Sequence, residues 1–365
     1  SVRKAIPKDA TLIEIAVASA RNNTPPEYLA WVIPPAGEQP VSLVVLGTHE
    51  QIEQQVGTLY TEIAAITELP SDETSPPESL RQLSEQLWGT LKPHLEDRPR
   101  WLIAPHADLS LFPWAALMTD DDRYAVQDHT VTCFVTGREL VRSQNADVQF
   151  DETADATIVA NPNYSLGLPQ DVEGPVAFTP LPGTASEAAA VAPLLERLTS
   201  RKPVLLLKDQ ATESAVKTSG SPQVLLLSTH GFFVNDRRLT NPLNGCGLAF
   251  SGANRMGRGK LDVTDDGILT GAEIVELDLR KTRLVVLSAC QTGSGRFNRG
   301  QGIMGLRQAF QLAGASSVVA ALWSIPDEQT ATLMTHFFAA LSTGQEPSES
   351  LRNAQQKMIA TKATS

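Results

Sequence analysis

Five short apolar runs in the second half of the chain constrain its fold more than any other feature. They occupy residues 157–160, 204–207, 224–227, 283–287 and 317–322, and none of them alternates apolar with polar residues. A strand that is apolar on both faces must be covered on both faces, which is the condition of a mostly parallel sheet. Helix-like stretches separate the runs at 185–198, 211–218, near 269–277 and near 302–313, and two more helices follow to the C-terminus. Strands and helices in that order predict an α/β fold, a mostly parallel sheet flanked by helices. One segment breaks the pattern. Residues 232–267 are dense in Gly, Asn and Arg and read as an irregular, mobile insertion where regulation would act.

The first 140 residues also alternate strand-like and helix-like segments, with strands at 28–33, 41–46 and 101–104 and helices at 51–65 and 79–91. Between those helices, PSDETSPPE at 70–78 has the composition of an exposed loop. The stretch 142–156 carries few large apolar residues and reads as a connector, so the chain divides there into an N-terminal domain, 1–145, and a C-terminal domain, 155–365. A length of 365 residues leaves room for two domains. Near the N-terminus, Arg3, Lys4 and Lys8 precede an apolar stretch ending Ala18-Ser19-Ala20, which imitates a secretion signal. Asp9 and Glu14 interrupt that stretch, and Leu12, Ile13, Ile15 and Val17 read as a strand instead. Ser in place of Met at position 1 fits a piece of a longer protein with modules upstream.

Several function classes are excluded by composition. The net charge of −11 repels a phosphate backbone, so nucleic acid is not an expected direct partner. No apolar run reaches the roughly 18 residues of a membrane span, so no membrane partner is expected and a cytoplasmic location is. Cys133, Cys246 and Cys290 are too few and too scattered for a disulfide framework or a thiolate metal site, so neither a metal nor another cofactor is expected.

Two of the apolar runs end alike, in Leu227-Ser-Thr-His230-Gly231 and in Leu287-Ser-Ala-Cys290-Gln-Thr-Gly293. Each releases a reactive side chain just past its carboxyl end, the edge where ligands and chemistry collect in open α/β sheets. If the two strands are parallel neighbours, His230 and Cys290 meet. A thiol with a pKa near 8.5 is about 3% ionised at pH 7, and an imidazolium partner raises that fraction many-fold. Histidine can then protonate the leaving amine. The N–H groups of Gly231 and Cys290 are the candidate oxyanion hole. Taken singly, a strand-end cysteine is as readily a small buried hydrophobe and a lone histidine a structural one; the joint occurrence favours chemistry.

At this point the residues resemble a family. STHGFF at 228–233, DDGILTGAEI at 265–274, LVVLSACQTGSG at 284–295, the run from Gly302 to Thr330 and SLRNAQ at 350–355 are similar to the CHAT proteins. These are bacterial caspase-like domains, often fused to tetratricopeptide repeats and related to separase, caspases and gingipains. PLPGTASEA at 180–188 and, more weakly, APHADLSLFPWAAL at 104–117 extend the likeness toward the N-terminus. The resemblance implies a caspase-like catalytic half preceded by a caspase-like half without catalytic residues. It implies a cysteine endopeptidase acting on a protein or peptide substrate, with Cys290 as nucleophile and His230 as general base and acid, regulated by a sensor or tetratricopeptide-repeat module. The stretch Leu322-Trp-Ser324-Ile-Pro-Asp327 resembles the separase segment LWDVTD, which implies a pocket for a basic residue before the cut bond, carried by Asp327 with Ser324 beside it. Asp327 is equally suited to capping the helix that starts near Pro326.

Other features carry less. Gly293, Gly295 and Gly300 match neither GxGxxG nor a P-loop. His106 follows a strand but has no cysteine partner in its own half, and Cys133 and Cys246 read as bystanders. Arg237, Arg238, Arg255, Arg258 and Lys260 read as a solvated loop or a self-cleavage target. The competing function is a catalytically silent scaffold or protein-binding module, with small-molecule acyl transfer a more distant third.

Overall fold

The computed structural model describes residues 2–18, 24–68, 75–145, 153–168, 177–233, 240–255, 265–288, 299–323 and 327–363. The chain forms two compact units, Ser1–Asp147 with Leu351–Ser365, and Val148–Ser350.

The first unit runs α1 (Val2–Ala5), β1 (Ala10–Ala18), β2 (Glu27–Ile33), β3 (Ser42–Thr48), α2 (His49–Glu68), α3 (Glu78–Leu91), β4 (Arg100–Ala104), α4 (Ala125–Asp128), β5 (Thr130–Cys133) and α5 (Arg138–Asn145). Its sheet has the order β3-β2-β1-β4-β5, antiparallel from β3 to β1 and parallel from β1 to β5. The apolar stretch that imitates a secretion signal is the central strand, β1, with Ala10, Leu12, Ile13 and Ile15 buried. The supposed connector begins inside a helix, since α5 continues to Asn145. Its Leu140 packs with Ala5, Ile6, Leu12 and Leu102, so the polar residues that suggested a linker belong to the turns beyond that anchor. Residues 146–152 lie outside the described residues.

The second unit runs β6 (Thr157–Pro162), α6 (Gly183–Thr199), β7 (Val204–Lys208), α7 (Glu213–Thr218), β8 (Val224–Ser228), β9 (Gly231–Phe233), β10 (Cys246–Ala249), β11 (Ile268–Thr270), α8 (Gly271–Val275), β12 (Leu284–Leu287), α9 (Arg299–Leu312), β13 (Val318–Ala320) and α10 (Asp327–Leu341). A last helix, α11 (Pro347–Ala363), passes to the first unit, where Arg352 and Gln356 donate to the carbonyls of Val126 and Gln127. The five long-range strands form one parallel sheet in the order β13-β12-β8-β6-β7. Burial explains the absence of alternation: every residue of β8 and β12 is buried. Leu225, Leu227, Val285 and Leu287 face a core with Ile274 of α8 and Leu306, Ala309 and Phe310 of α9. Their neighbours Leu226 and Val286 point to the opposite face, where α6 lies on β6 and α10 on α6. Mixed α/β structure with a parallel sheet between helices is the fold class expected from the sequence.

The segment 232–267 departs from the irregular insertion expected. Its first residues belong to β9, and β9, β10 and β11 form a separate antiparallel sheet with β10 in the middle. These strands are three or four residues long, and β9 and β10 each contain a glycine, so no periodicity announces them. Gly247 is needed because a Cβ there would lie 2.6 Å from the Phe232 ring. Residues 234–239 and 256–264 of this segment lie outside the described residues. The helix expected near 269–277 is shorter, because Ile268–Thr270 pairs as β11. Thr270 then caps α8 through a reciprocal bond with Glu273.

Cys246 packs between α8 and α9 in this layer. A Cβ on Gly271 would come within 2.7 Å of its sulfur and 2.9 Å of the Leu243 carbonyl. Gly271→Ala is therefore expected to cost about 1–3 kcal/mol by overpacking, read as a fall in denaturant midpoint with an unchanged slope. An unchanged midpoint would show that the short 3-10 turn Pro242–Gly245 yields freely.

Candidate active site

Counted within the second unit, the sheet order is 2-1-3-4-5, with the reversal between its first strand, β6, and its third, β8. Crevices at the carboxyl ends of such sheets form at that reversal. His230 follows β8 and is buried, with 1% of its surface exposed. On its other side β8 pairs with β12 in parallel, from Val224 opposite Leu284 to Leu227 opposite Leu287. The two strands whose ends drew attention in the sequence are therefore neighbours.

The imidazole is held on several sides. Its Nε2 lies 2.7 Å from the carbonyl oxygen of Thr179. A carbonyl only accepts, so Nε2 carries the proton and Nδ1 is the basic nitrogen. Tyr164 and Phe178 line the ring at centroid distances of 5.0 and 5.8 Å. Phe178 is fixed in turn by Asn254, whose side chain accepts from the Phe178 N–H at 2.9 Å and donates to its carbonyl at 2.8 Å. Tyr164 is 2% exposed, and burial pushes its phenol up to about 12, so it stays neutral.

Gly231 opens β9 opposite Leu248. Because the Ala249 N–H donates to the His230 carbonyl, the Gly231–Leu248 pair is a non-hydrogen-bonded one, and the Gly231 N–H points away from β10.

Past β12, the Ser288 hydroxyl donates to Glu187 at 3.0 Å. Glu187 lies on α6 and is 3% exposed. Residues 178–187 thus touch the ends of both strands, through the Thr179 carbonyl at His230 and the Glu187 carboxylate at Ser288. Cys290 and Ser324 lie outside the described residues. Asp327 is the first residue of α10, one position inside the cap that the sequence suggested for it, and its side chain also lies outside the described residues.

Thr179, Tyr164, Phe178, Asn254 and Glu187 escaped the sequence reading. Only Glu187 had a signal, since it lies in PLPGTASEA, and Thr179 is the residue before that motif. The remaining candidates lie elsewhere. Burial pushes the Cys246 thiol up to about 11, so it is not a ready thiolate. In the first unit His106 is exposed beyond β4, and the nearby Asp108 accepts from the Tyr28 hydroxyl at 3.1 Å and lies 3.5 Å from His49. Arg255 packs along Gly252 and donates to the Asp265 carbonyl at 3.0 Å, so it is not a solvated loop residue; 237, 238, 258 and 260 lie outside the described residues. Among the described residues no helix is long and apolar enough to cross a membrane.

A parallel sheet in this order, with a caged histidine past its middle strand, defines an α/β protein consistent with the caspase-like fold. The chain belongs to the CHAT domain family, whose model matches residues 77–365. The family is related to caspase-like peptidases. Mouse Tetratricopeptide repeat protein 28 is 36% identical over 98 residues, covering 27% of this chain and 4% of that protein. The human protein of the same name is 31% identical over 98 residues, with the same coverage of 27% and 4%. The match thus spans only about 4% of the length of these curated relatives.

Proposed function

We propose that the chain is a cysteine endopeptidase that cleaves protein substrates with His230 and Cys290. One observation carries the reading: β8 and β12 are paired in parallel register to Leu227 and Leu287, and the histidine and the cysteine each follow those residues by three positions. In this mechanism the thiol proton passes to Nδ1 of His230 and the thiolate attacks the scissile carbonyl carbon. The N–H groups of Gly231 and Cys290 receive the developing oxyanion. Collapse of the tetrahedral intermediate breaks the C–N bond, and the imidazolium gives its proton to the departing amine. Water, deprotonated by His230, then hydrolyses the thioester and frees the thiol.

Residues 1–145 serve in this reading as a non-catalytic caspase-like half, and 155–365 as the catalytic one. The protein acts in the cytoplasm, under a sensor or tetratricopeptide-repeat module; the relatives' names favour such a module. Asp327, with Ser324 beside it, gives a preference for Arg or Lys before the cut bond.

The test is mass spectrometry of a proteome incubated with the protein and, separately, with its Cys290→Ala form. New termini that require Cys290, most of them after Arg or Lys, are expected. Identical termini in the two samples would overturn the reading in favour of a silent binding scaffold. Cleavage after acidic or apolar residues would remove Asp327 from the pocket while leaving the dyad.

A further inference from the structure

The phenol of Tyr164 is the least accounted-for group around His230. It reaches the site from β6 by way of a kink: the β6–β7 register shifts between Ala160 and Pro162, and Asn161 takes a positive φ of 48°. A non-glycine residue in that region is strained and is kept where something over-determines it. Here the Asn161 N–H donates to Thr184 at 2.8 Å and the Asn163 N–H to Ser251 at 3.0 Å. The Tyr164 carbonyl accepts from the Asn254 N–H at 2.9 Å. A bulge re-aims the chain that follows it, and this one turns Tyr164 back beneath the end of β8.

The hydroxyl there has one hydrogen to give, and its partners fix the direction of each bond. The Thr229 hydroxyl spends its hydrogen on the Ala249 carbonyl. The phenol must therefore donate to the Thr229 oxygen, 3.0 Å away. The result is a relay of two bonds, from Tyr164 through Thr229, the residue before His230, to Ala249. Its members are buried: Thr229 has no exposed surface and Tyr164 has 2%. In such surroundings a satisfied network rigidifies and an interrupted one is costly. The phenol holds Thr229, the residue before His230, while the ring beside the imidazole, 5.0 Å away at 37°, limits how it can turn.

We propose that Tyr164 is a positioning residue for His230: hydroxyl and ring together hold the imidazole with Nε2 on the Thr179 carbonyl and Nδ1 directed to the thiol of Cys290. The inference rests on the Cys290–His230 reading. It separates Tyr164 from an ordinary core tyrosine, because its removal changes how readily the thiol ionises and not only how well the chain folds.

The experiment is the pH dependence of Cys290 alkylation by iodoacetamide, read residue by residue by mass spectrometry on the full chain. In the unaltered protein the rate should persist below pH 7, as an imidazolium-paired thiolate requires. Tyr164→Phe keeps the ring and should slow alkylation at pH 6.5 about three- to fivefold while leaving the rate at pH 9.5 unchanged, as an apparent thiol pKa raised by about one unit from the neutral-to-acidic range requires. A wild-type profile in Tyr164→Phe overturns the positioning role and leaves the dyad standing. A profile insensitive to His230→Ala overturns the dyad and the positioning role together. Should Tyr164→Phe fold poorly, Thr229→Val breaks the next bond of the relay and is expected to shift the profile in the same sense, while Thr229→Ser restores it. An unshifted profile in Thr229→Val overturns the proposal.

Discussion

Cys290→Ala abolishes peptide-bond cleavage and leaves the melting temperature within a degree or two of the parent; that is the largest effect expected of any single substitution in this chain. The change removes one sulfur atom. It deletes the only atom assigned to bond formation with the substrate, while the sheet edge that carries it keeps its β12 pairings to β8 and β13. Removing a nucleophile from a comparable hydrolase costs about 10⁴- to 10⁶-fold in kcat, with the oxyanion donors and binding left to supply the remainder. His230→Ala should be nearly as severe, since it removes both the base and the acid. Changes at Cys133 and Cys246 should leave turnover almost untouched. The measurement is kcat on a fluorogenic peptide alongside a thermal melt. Undiminished turnover in Cys290→Ala would end the endopeptidase reading.

Lys217→Met is the substitution expected to cost most in stability. Glu213 opens α7 with 1% of its surface exposed, and its carboxylate accepts from the Gly267 N–H at 3.1 Å. Lys217, one turn on, pairs with it and also with Glu273 at 2.9 Å. Burial raises the Glu213 pKa above the ordinary carboxylate value, more than Lys217 lowers it. On Lys217 itself burial opposes the charge, but the hydrogen bonds to Glu213 and Glu273 outweigh it and raise the pKa. Replacing the lysine leaves a buried carboxylate without its cation, which costs about 3–5 kcal/mol in a fully buried pair and somewhat less here because Lys217 is part-exposed. The pH dependence carries the sign. A carboxyl whose folded pKa is raised stabilises the fold below its unfolded pKa, and that contribution is lost as pH rises through the folded value. The deficit of Lys217→Met should therefore be larger at pH 8 than at pH 5, where Glu213 takes up a proton. Urea midpoints at the two pH values measure it, and a pH-independent deficit would assign the loss to packing. The double change Glu213→Leu with Lys217→Met should recover most of the stability at pH 8.

The parallel sheet was legible at its middle, where Val224–Leu227 and Leu284–Leu287 are buried throughout; the identical VLLL at 204–207 lies in the edge strand β7, with Val204 and Leu205 exposed, so an unbroken apolar run does not by itself prove two covered faces. Its strand ends were legible for the same reason, and His230 stood out as a candidate because Cys290 ends a matching run in the same way. The small antiparallel sheet was not, since Cys246–Ala249 is four residues long with a glycine inside it, and length is what a period needs. Nor were the groups around the imidazole. Thr179 acts through a carbonyl that every residue possesses, and the position of Tyr164 depends on a kink at Asn161 that residue type alone does not announce. Asn254 lies 24 residues past His230 in a segment whose composition suggested no structure at all. Such roles arise from tertiary contact, and a linear reading has no access to them.

The stretch 178–187 has a consequence for how such a site is switched. Thr179 and Glu187, eight positions apart, grip the exits of two adjacent strands. Displacing that one span by about an ångström would loosen both grips at once, and a misplacement of that size can cost about 10²-fold in rate. An effector would not have to disarm base and nucleophile separately. A single span suffices, because it holds both strand exits.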